Sequence, residues 1–195
     1  MTLAVLENAP LLPGRECGEC KVCCIVPGID TREAQKDTNV ACRHLCDAGC
    51  AIYETRPGAC RTFHCAWRQL ATLDDSWRPD RCGVLAQQVT LAGRPGLCLT
   101  LFAAPLKTAR QGWFVDFVAT VLRERTPLLL AVPGPRGAES AKQLMDEEMR
   151  QTAERSRFRL RHLLEAAVKE LAARPPVPLK LANSGHDISS DVSMP

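Results

Sequence analysis

Four cysteines fall within eight residues in the run Cys17-Gly-Glu-Cys20-Lys-Val-Cys23-Cys24, and five more follow at Cys42, Cys46, Cys50, Cys60 and Cys65. Thiols at this density suit two arrangements: the disulfide framework of a secreted protein, or thiolate ligands around metal in a reducing compartment. The chain has 11 cysteines, an odd count that leaves one over from any closed set of disulfides. The stretch MTLAVLENAPLLPGRE has no basic start, and Glu7, Asn8 and Pro10 interrupt its apolar run, so it does not read as a signal peptide. No stretch approaches the length needed to span a bilayer. The expectation is a cytoplasmic protein whose thiols stay reduced and bind metal.

The rest of the chain reads as α+β: a loop-rich cysteine region, then a small β-hairpin and α/β layer, then C-terminal helices. The region from Cys17 to Cys82 is rich in turn residues and weak in periodicity. It can bury little apolar surface and needs a staple, which metal supplies. From Gly83, the apolar runs GVLAQQV and LCLTLFAA suggest a hairpin turning at Gly-Arg-Pro-Gly. In LKTARQGWFVDFVATVLRER, Trp113, Phe114, Phe117, Val118, Val121 and Leu122 recur at helical spacing, and PLLLAVPGP reads as a short buried strand. Residues 15–135 are taken as the cysteine-cluster domain with its α/β layer, and residues 138–174 as a helical segment with an apolar stripe at Leu160, Leu163, Leu164, Ala167, Val168 and Leu171. Residues 175–195 are expected to be a polar, disordered tail. Net charge is +3 and spread along the chain, which does not argue for nucleic acid or an anionic membrane. The arginines at 155, 157, 159 and 161 are read as a solvated helix face with nearby glutamates.

Zinc sites draw their thiolates in pairs from separate Cys-x-x-Cys turns. A run of three cysteines at this spacing is closer to iron–sulfur ligation, where three grip a cluster and a distant one completes it. Adjacent Cys23 and Cys24 point to opposite sides of an extended chain, so one can serve a first centre and the other a second centre or the core. The second group has enough thiolates to complete two four-coordinate sites or one cluster with spares. His44 and His64 are read as hydrogen-bonding neighbours of the thiolates, and Cys98 as a small buried hydrophobe. Lys21, Arg43, Arg56, Arg61 and Arg68 lie close in sequence to the cysteines, where cations lower thiol pKa and offset the negative charge of thiolate sites.

The pattern Cys17-x2-Cys20-x2-Cys23-Cys24, then Cys42 followed by Leu45, then C-x-I-Y-E-x-R-P-x-x-C-R-x-F-x-C-x-W from Cys50 to Trp67, resembles the bacterial CxxCxxCC domain. This YkgJ-type cysteine cluster family is described as a zinc- or iron-chelating domain. The likeness covers roughly residues 15 to 105. It implies metal ligation by Cys17, Cys20, Cys23, Cys24, Cys42, Cys50, Cys60 and Cys65; Cys46 is an addition to the pattern. Tyr53, Arg56, Pro57, Arg61, Phe63 and Trp67 match its other positions. Arg56 and Arg61 are then the candidates for donating to sulfur. Phe63 and Trp67, four apart, suit a helical turn packed on the cluster. The cofactor implied is an iron–sulfur cluster of the 4Fe-4S type or a zinc ion.

The sequence thus points to a metal-binding cysteine-cluster protein with a structural, sensory or redox role. The alternative is an iron–sulfur-assisted enzyme acting on a protein substrate, since the same domain occurs in flagellin lysine N-methylases. Against an enzyme, the chain has no Ser-His-Asp arrangement and no phosphate-binding glycine loop. A thiol–disulfide oxidoreductase built on Cys17-Gly-Glu-Cys20 lacks the preceding strand such a motif needs. A protein partner or protein substrate fits either of the first two readings, and whether the chain is an enzyme stays open at this point.

Overall fold

The computed structural model describes residues 9–179. The leader reading and most of the tail reading therefore fall on residues 1–8 and 180–195, outside the described residues. Among the described residues, no helix is long and apolar enough to cross a membrane.

The apolar runs after Gly83 form the sheet that organises the molecule. Strand β5 (Val84–Leu91) pairs antiparallel with β6 (Arg94–Leu101), β6 pairs parallel with β7 (Leu128–Val132), and β7 pairs antiparallel with β8 (Ala141–Leu144). The hairpin does not turn at Gly-Arg-Pro-Gly. It turns at Ala92-Gly93, where both residues have positive φ (48° and 74°), the backbone a tight two-residue hairpin loop demands. Arg94, Pro95 and Gly96 already belong to β6.

Side chains alternate across the sheet, and the register aligns one apolar row after another on its inner face. Val84 lies opposite Leu101, Ala86 opposite Leu99, and Leu97 and Leu99 opposite Leu128 and Leu130. These residues are buried in the main core. Helices cover this face. Between β6 and β7 the chain makes α4 (Pro105–Ala109) and α5 (Gly112–Arg123), the crossover a parallel pair requires. Helix α5 buries Phe114, Val118, Val121 and Leu122, as its periodicity predicts, but leaves Trp113 40% exposed.

Residues 138–174 are not continuous helix. They give the edge strand β8, then α6 (Glu147–Arg155), then α7 (Arg157–Ala173). Asp146 caps α6 by accepting from the Met149 amide, and Ser156 caps α7 by accepting from the Arg159 amide. Ser156 is extended (φ −156°, ψ 107°), which ends one helix and starts the next. Of the stripe, Leu160, Leu164, Ala167, Val168 and Leu171 are buried as read, and Leu163 is partly buried against the same core. On the outer side of the helices, Arg157 pairs with Asp116 and Arg161 with Glu165. After α7 the chain is tied down as far as it is described: the Glu139 amide donates to the Val177 carbonyl and the Leu179 amide to the Gly137 carbonyl.

The opposite face of the sheet carries the cysteine-rich region. Leu85 buries against Val22 and Val26, and Cys65 forms an isolated antiparallel bridge with Gln87. The result is three layers: cysteine region, sheet, helices. Leu99 is fully buried between sheet and helices, whereas Leu144 is 55% exposed. Leu99→Ala should therefore cost about 2–5 kcal/mol in a denaturant melt. Leu144→Ala should stay within about 0.5 kcal/mol in the same experiment.

Candidate metal centres

The first cysteines are shaped by tight turns. The Cys20 amide donates to the Cys17 carbonyl at 2.9 Å, closing a turn in which Gly18 takes a positive φ of 51° that a side chain would resist. The next residues form one helical turn, α1 (Val22–Ile25). Cys23 and Cys24 are thus about 100° apart around a helix axis, not on opposite sides of an extended chain. Their sulfurs share a hydrogen bond, with the Cys23 thiol held protonated and the Cys24 thiol shifted down by that contact. Val22 and Val26, on the remaining side of the turn, seat it on Leu85.

Backbone pairing brings distant cysteines to this turn. Residues 9–15 run beside residues 66–70: the Leu12 amide donates to the Arg68 carbonyl, Arg15 donates to the Trp67 and Leu70 carbonyls, and Arg68 donates back to the Arg15 carbonyl. This places Cys17 within electrostatic reach of Cys65. Cys20 packs on the same small apolar cluster as Cys65, with Phe63 and Phe102. Cys23 senses Cys24 most strongly, and then Cys17 and Cys20. Cys17, Cys20, Cys23 and Cys65 form one neighbourhood.

Cys24 belongs to another. The Cys42 amide donates to the Cys24 carbonyl at 2.9 Å, and the Leu45 amide donates to the Cys42 carbonyl. Strands β3 (Leu45–Cys46) and β4 (Gly49–Cys50) then pair so that Cys50 lies opposite Leu45. Lys21 ties the first run to this hairpin by donating to the Asp47 carbonyl. Cys60 sits on α2 (Gly58–Thr62), whose first amide, Gly58, donates to the Glu33 carboxylate at 2.7 Å. Glu33 comes from the turn between β1 (Ile29–Asp30) and β2 (Gln35–Lys36). The Cys60 thiol is raised by burial first and then by the neighbouring Cys42, Cys24 and Cys50. These four sulfurs form the second neighbourhood.

One residue holds the second neighbourhood together that the cysteine pattern does not announce. Lys36 is 8% exposed, and its ammonium donates to the carbonyls of Ile25, Asp37 and Val40 at 2.8, 3.0 and 2.8 Å. It bridges the segment after Cys24 to the segment before Cys42. Burial lowers its pKa, and Cys42 and Cys24 oppose that shift, so the cation sits against those two sulfurs. Arg56 also acts on Cys24 and Cys60 by charge. Its guanidinium stacks on Tyr53 at 3.8 Å and donates to the Tyr53 carbonyl, and Arg61 donates to the Arg56 carbonyl. The hydrogen bonds of both arginines thus brace the loop before α2.

The remaining sequence candidates fall as follows. All 11 cysteines are free. Cys46 is exposed and Cys98 is buried on the sheet, 3.9 Å from the Thr100 hydroxyl. Cys82 lies within electrostatic reach of Cys20; burial pushes its thiol up to about 11, and it exchanges hydrogen bonds with the backbone of Val84. His64 is shifted down by burial and by Arg68 and Arg56, which favours the neutral ring. Phe63 and Trp67 do not share a helical turn: α2 ends at Thr62, so Phe63 enters the small cluster and Trp67 the main core. Among the described residues, no group of three or more His, Cys, Asp or Glu side chains is drawn together as it would be around a bound metal ion.

The thiols differ enough to be told apart chemically. Burial pushes Cys65 up to about 11, whereas Cys24 is held down by the Cys23 contact and by Lys36 and Arg56. In reduced, metal-stripped protein at neutral pH, iodoacetamide should modify Cys24 well before Cys65, because the thiolate is the nucleophile. Lys36→Met should slow Cys24 alkylation and cost about 1–3 kcal/mol by leaving the Ile25 and Val40 carbonyls unpaired. Peptide mapping of the alkylated protein and a denaturant melt check both.

Compared with known proteins, the chain matches no family model, no curated protein and no solved structure.

Proposed function

We propose that this protein is a thiolate metal-binding protein with two centres, one served by Cys17, Cys20, Cys23 and Cys65 and the other by Cys24, Cys42, Cys50 and Cys60. What supports this reading is backbone pairing: the Cys42 amide on the Cys24 carbonyl and residues 9–15 on residues 66–70. Cys17 and Cys20 then lie in electrostatic reach of Cys23 and Cys65, and Cys42, Cys24 and Cys50 in reach of Cys60. Cys23 hydrogen-bonds Cys24, so the two sets meet at that turn. Four sulfurs per site is the complement that zinc or an iron–sulfur cluster takes.

The donor chemistry suits such groups. The thiols are free and, for these eight, partly shielded from solvent. Four thiolates around a divalent ion carry excess negative charge, and the buried Lys36 with Arg56 offers a countercharge at the second set. At the first set, burial raises Cys20 and Cys65, and amides of Val22 and Asp80 donating to Cys20 and of Arg68 donating to Cys65 offset part of that rise. When bound, zinc would cross-link the loops, and an iron–sulfur cluster would add electron transfer. The chain's own residues bring the sulfurs within reach, supply countercharge and limit water.

The sulfur run at 17–24 favours iron–sulfur over zinc, and the role is structural, sensory or redox. Metal and acid-labile sulfide analysis of protein purified without air, with a visible spectrum, decides between the metals. Either way, two centres predict about two zinc ions or two clusters per chain. Cys20→Ser and Cys60→Ser should each remove about half of the metal, and the double variant nearly all of it. Loss of all metal in either single variant would sink the two-centre division, and full retention in both would sink metal ligation by these residues.

A further inference from the structure

An open cleft of about 910 Å³ lies where α3 (Pro79–Cys82), the end of β6, α4 and the start of α5 meet. Its volume falls in the range of pockets that bind cofactor-sized molecules. Asp80, Arg81, Cys82, Phe102, Lys107 and Trp113 are the side chains that define its chemistry.

The charges in the cleft are unbalanced. The Asp80 carboxylate is engaged by Arg78 at 2.6 Å. Arg81 makes one long hydrogen bond, 3.4 Å, to the Asp75 carbonyl, and neither Arg81 nor Lys107 has a carboxylate partner among the described residues. The cleft therefore offers two free cations. It also offers a fixed aromatic wall. Trp113 is 40% exposed yet held edge-on by Trp77 at 5.0 Å and by Phe114 at 5.7 Å. Trp77 is in turn packed against Phe117 at 4.2 Å. An exposed tryptophan braced by two aromatic rings, one of them itself packed on Phe117, presents its surface at little further entropic cost to a ligand.

The cleft also abuts the first cysteine neighbourhood. Phe102 packs on the cluster shared by Cys20 and Cys65, and Cys20 lies within electrostatic reach of Asp80. We infer that this cleft is a binding site for a small organic anion with a flat apolar portion, the acid group taken by Arg81 and Lys107 and the flat portion by Trp113. The site is assembled by α3, α4 and α5 on the sheet, so it does not depend on the metal reading, although its occupant sits beside Cys20.

The full-length protein, as purified without air, is titrated with 1-anilinonaphthalene-8-sulfonate, a flat aromatic anion whose fluorescence rises on binding. The expected result is saturable binding at one equivalent that weakens with salt. The double variant Arg81→Glu/Lys107→Glu should weaken it about tenfold or more, with the thermal melt unchanged because both residues are exposed. Trp113→Ala should weaken it as well. Displacement of the probe by adenosine monophosphate but not benzoate assigns the acid group as phosphate, and the reverse as carboxylate. No saturable binding, equal affinity in the folded double variant, or displacement by neither competitor overturns the inference. Metal content is read separately on the same samples, so failure here and failure of the two-centre reading are distinguishable.

Discussion

The outer face of β5 carries the whole cysteine-rich region. Leu85 accepts Val22 and Val26, and two residues further on Gln87 pairs with the backbone of Cys65. Between Cys17 and Cys65 few apolar side chains are buried, so burial alone cannot order this stretch. What fixes it is a web of backbone contacts anchored at that face: residues 9–15 on residues 66–70, the Cys42 amide on the Cys24 carbonyl, and the Lys36 ammonium on three carbonyls. Each such bond contributes only about 1 kcal/mol net. Bonds of that size order a loop region when they converge on few points, and here they converge on the segments that flank Cys24 and Cys65.

Lys36 makes the logic explicit. A buried ammonium is costly unless its donors are satisfied and its charge is opposed. Three carbonyls satisfy the donors, but a carbonyl carries no net charge. Opposing charge reaches it from Cys42 and Cys24 first, and then from the Asp37 carboxylate and Cys23. Asp37 offsets part of that charge, and thiolates at Cys24 and Cys42 would offset more.

Sequence spacing made the cysteine groups legible because a turn of fixed length forces its ends together, as at Cys17 and Cys20. The β5–β6 hairpin and the buried stripes of α5 and α7 were legible for the same reason: their period is set by the element itself. Lys36 was not, since a lysine in a polar loop looks solvated until the fold closes over it. Edge strand β8 was not either. Its sequence, AKQL, has one strong apolar residue, and it is a strand only because β7 offers an open edge. The break between α6 and α7 did carry a signal, a serine three residues before an amide it caps, but an unbroken run of helix formers on either side masks it. The hairpin turns at Ala92-Gly93 rather than around Pro95 because the positive φ of Ala92 and Gly93, not the proline, meets the constraint of the tight loop.

The helical turn α1 joins the two cysteine neighbourhoods more tightly than any loop could. Cys23 and Cys24 are consecutive and share a hydrogen bond, so a change of protonation or ligation at one is felt at the other. The surroundings differ on the two sides. Cys24 faces a fixed cation, Lys36, sealed by backbone. Cys23 faces Cys17 and Cys20, and Cys20 reaches Asp80 at the wall of an open cleft. One side carries a buried cation; the other adjoins an open cleft. The asymmetry follows from where the sheet lies: the first neighbourhood rests on β5 and borders the α3–α4 cleft, while the second is carried beyond it on hairpins of its own.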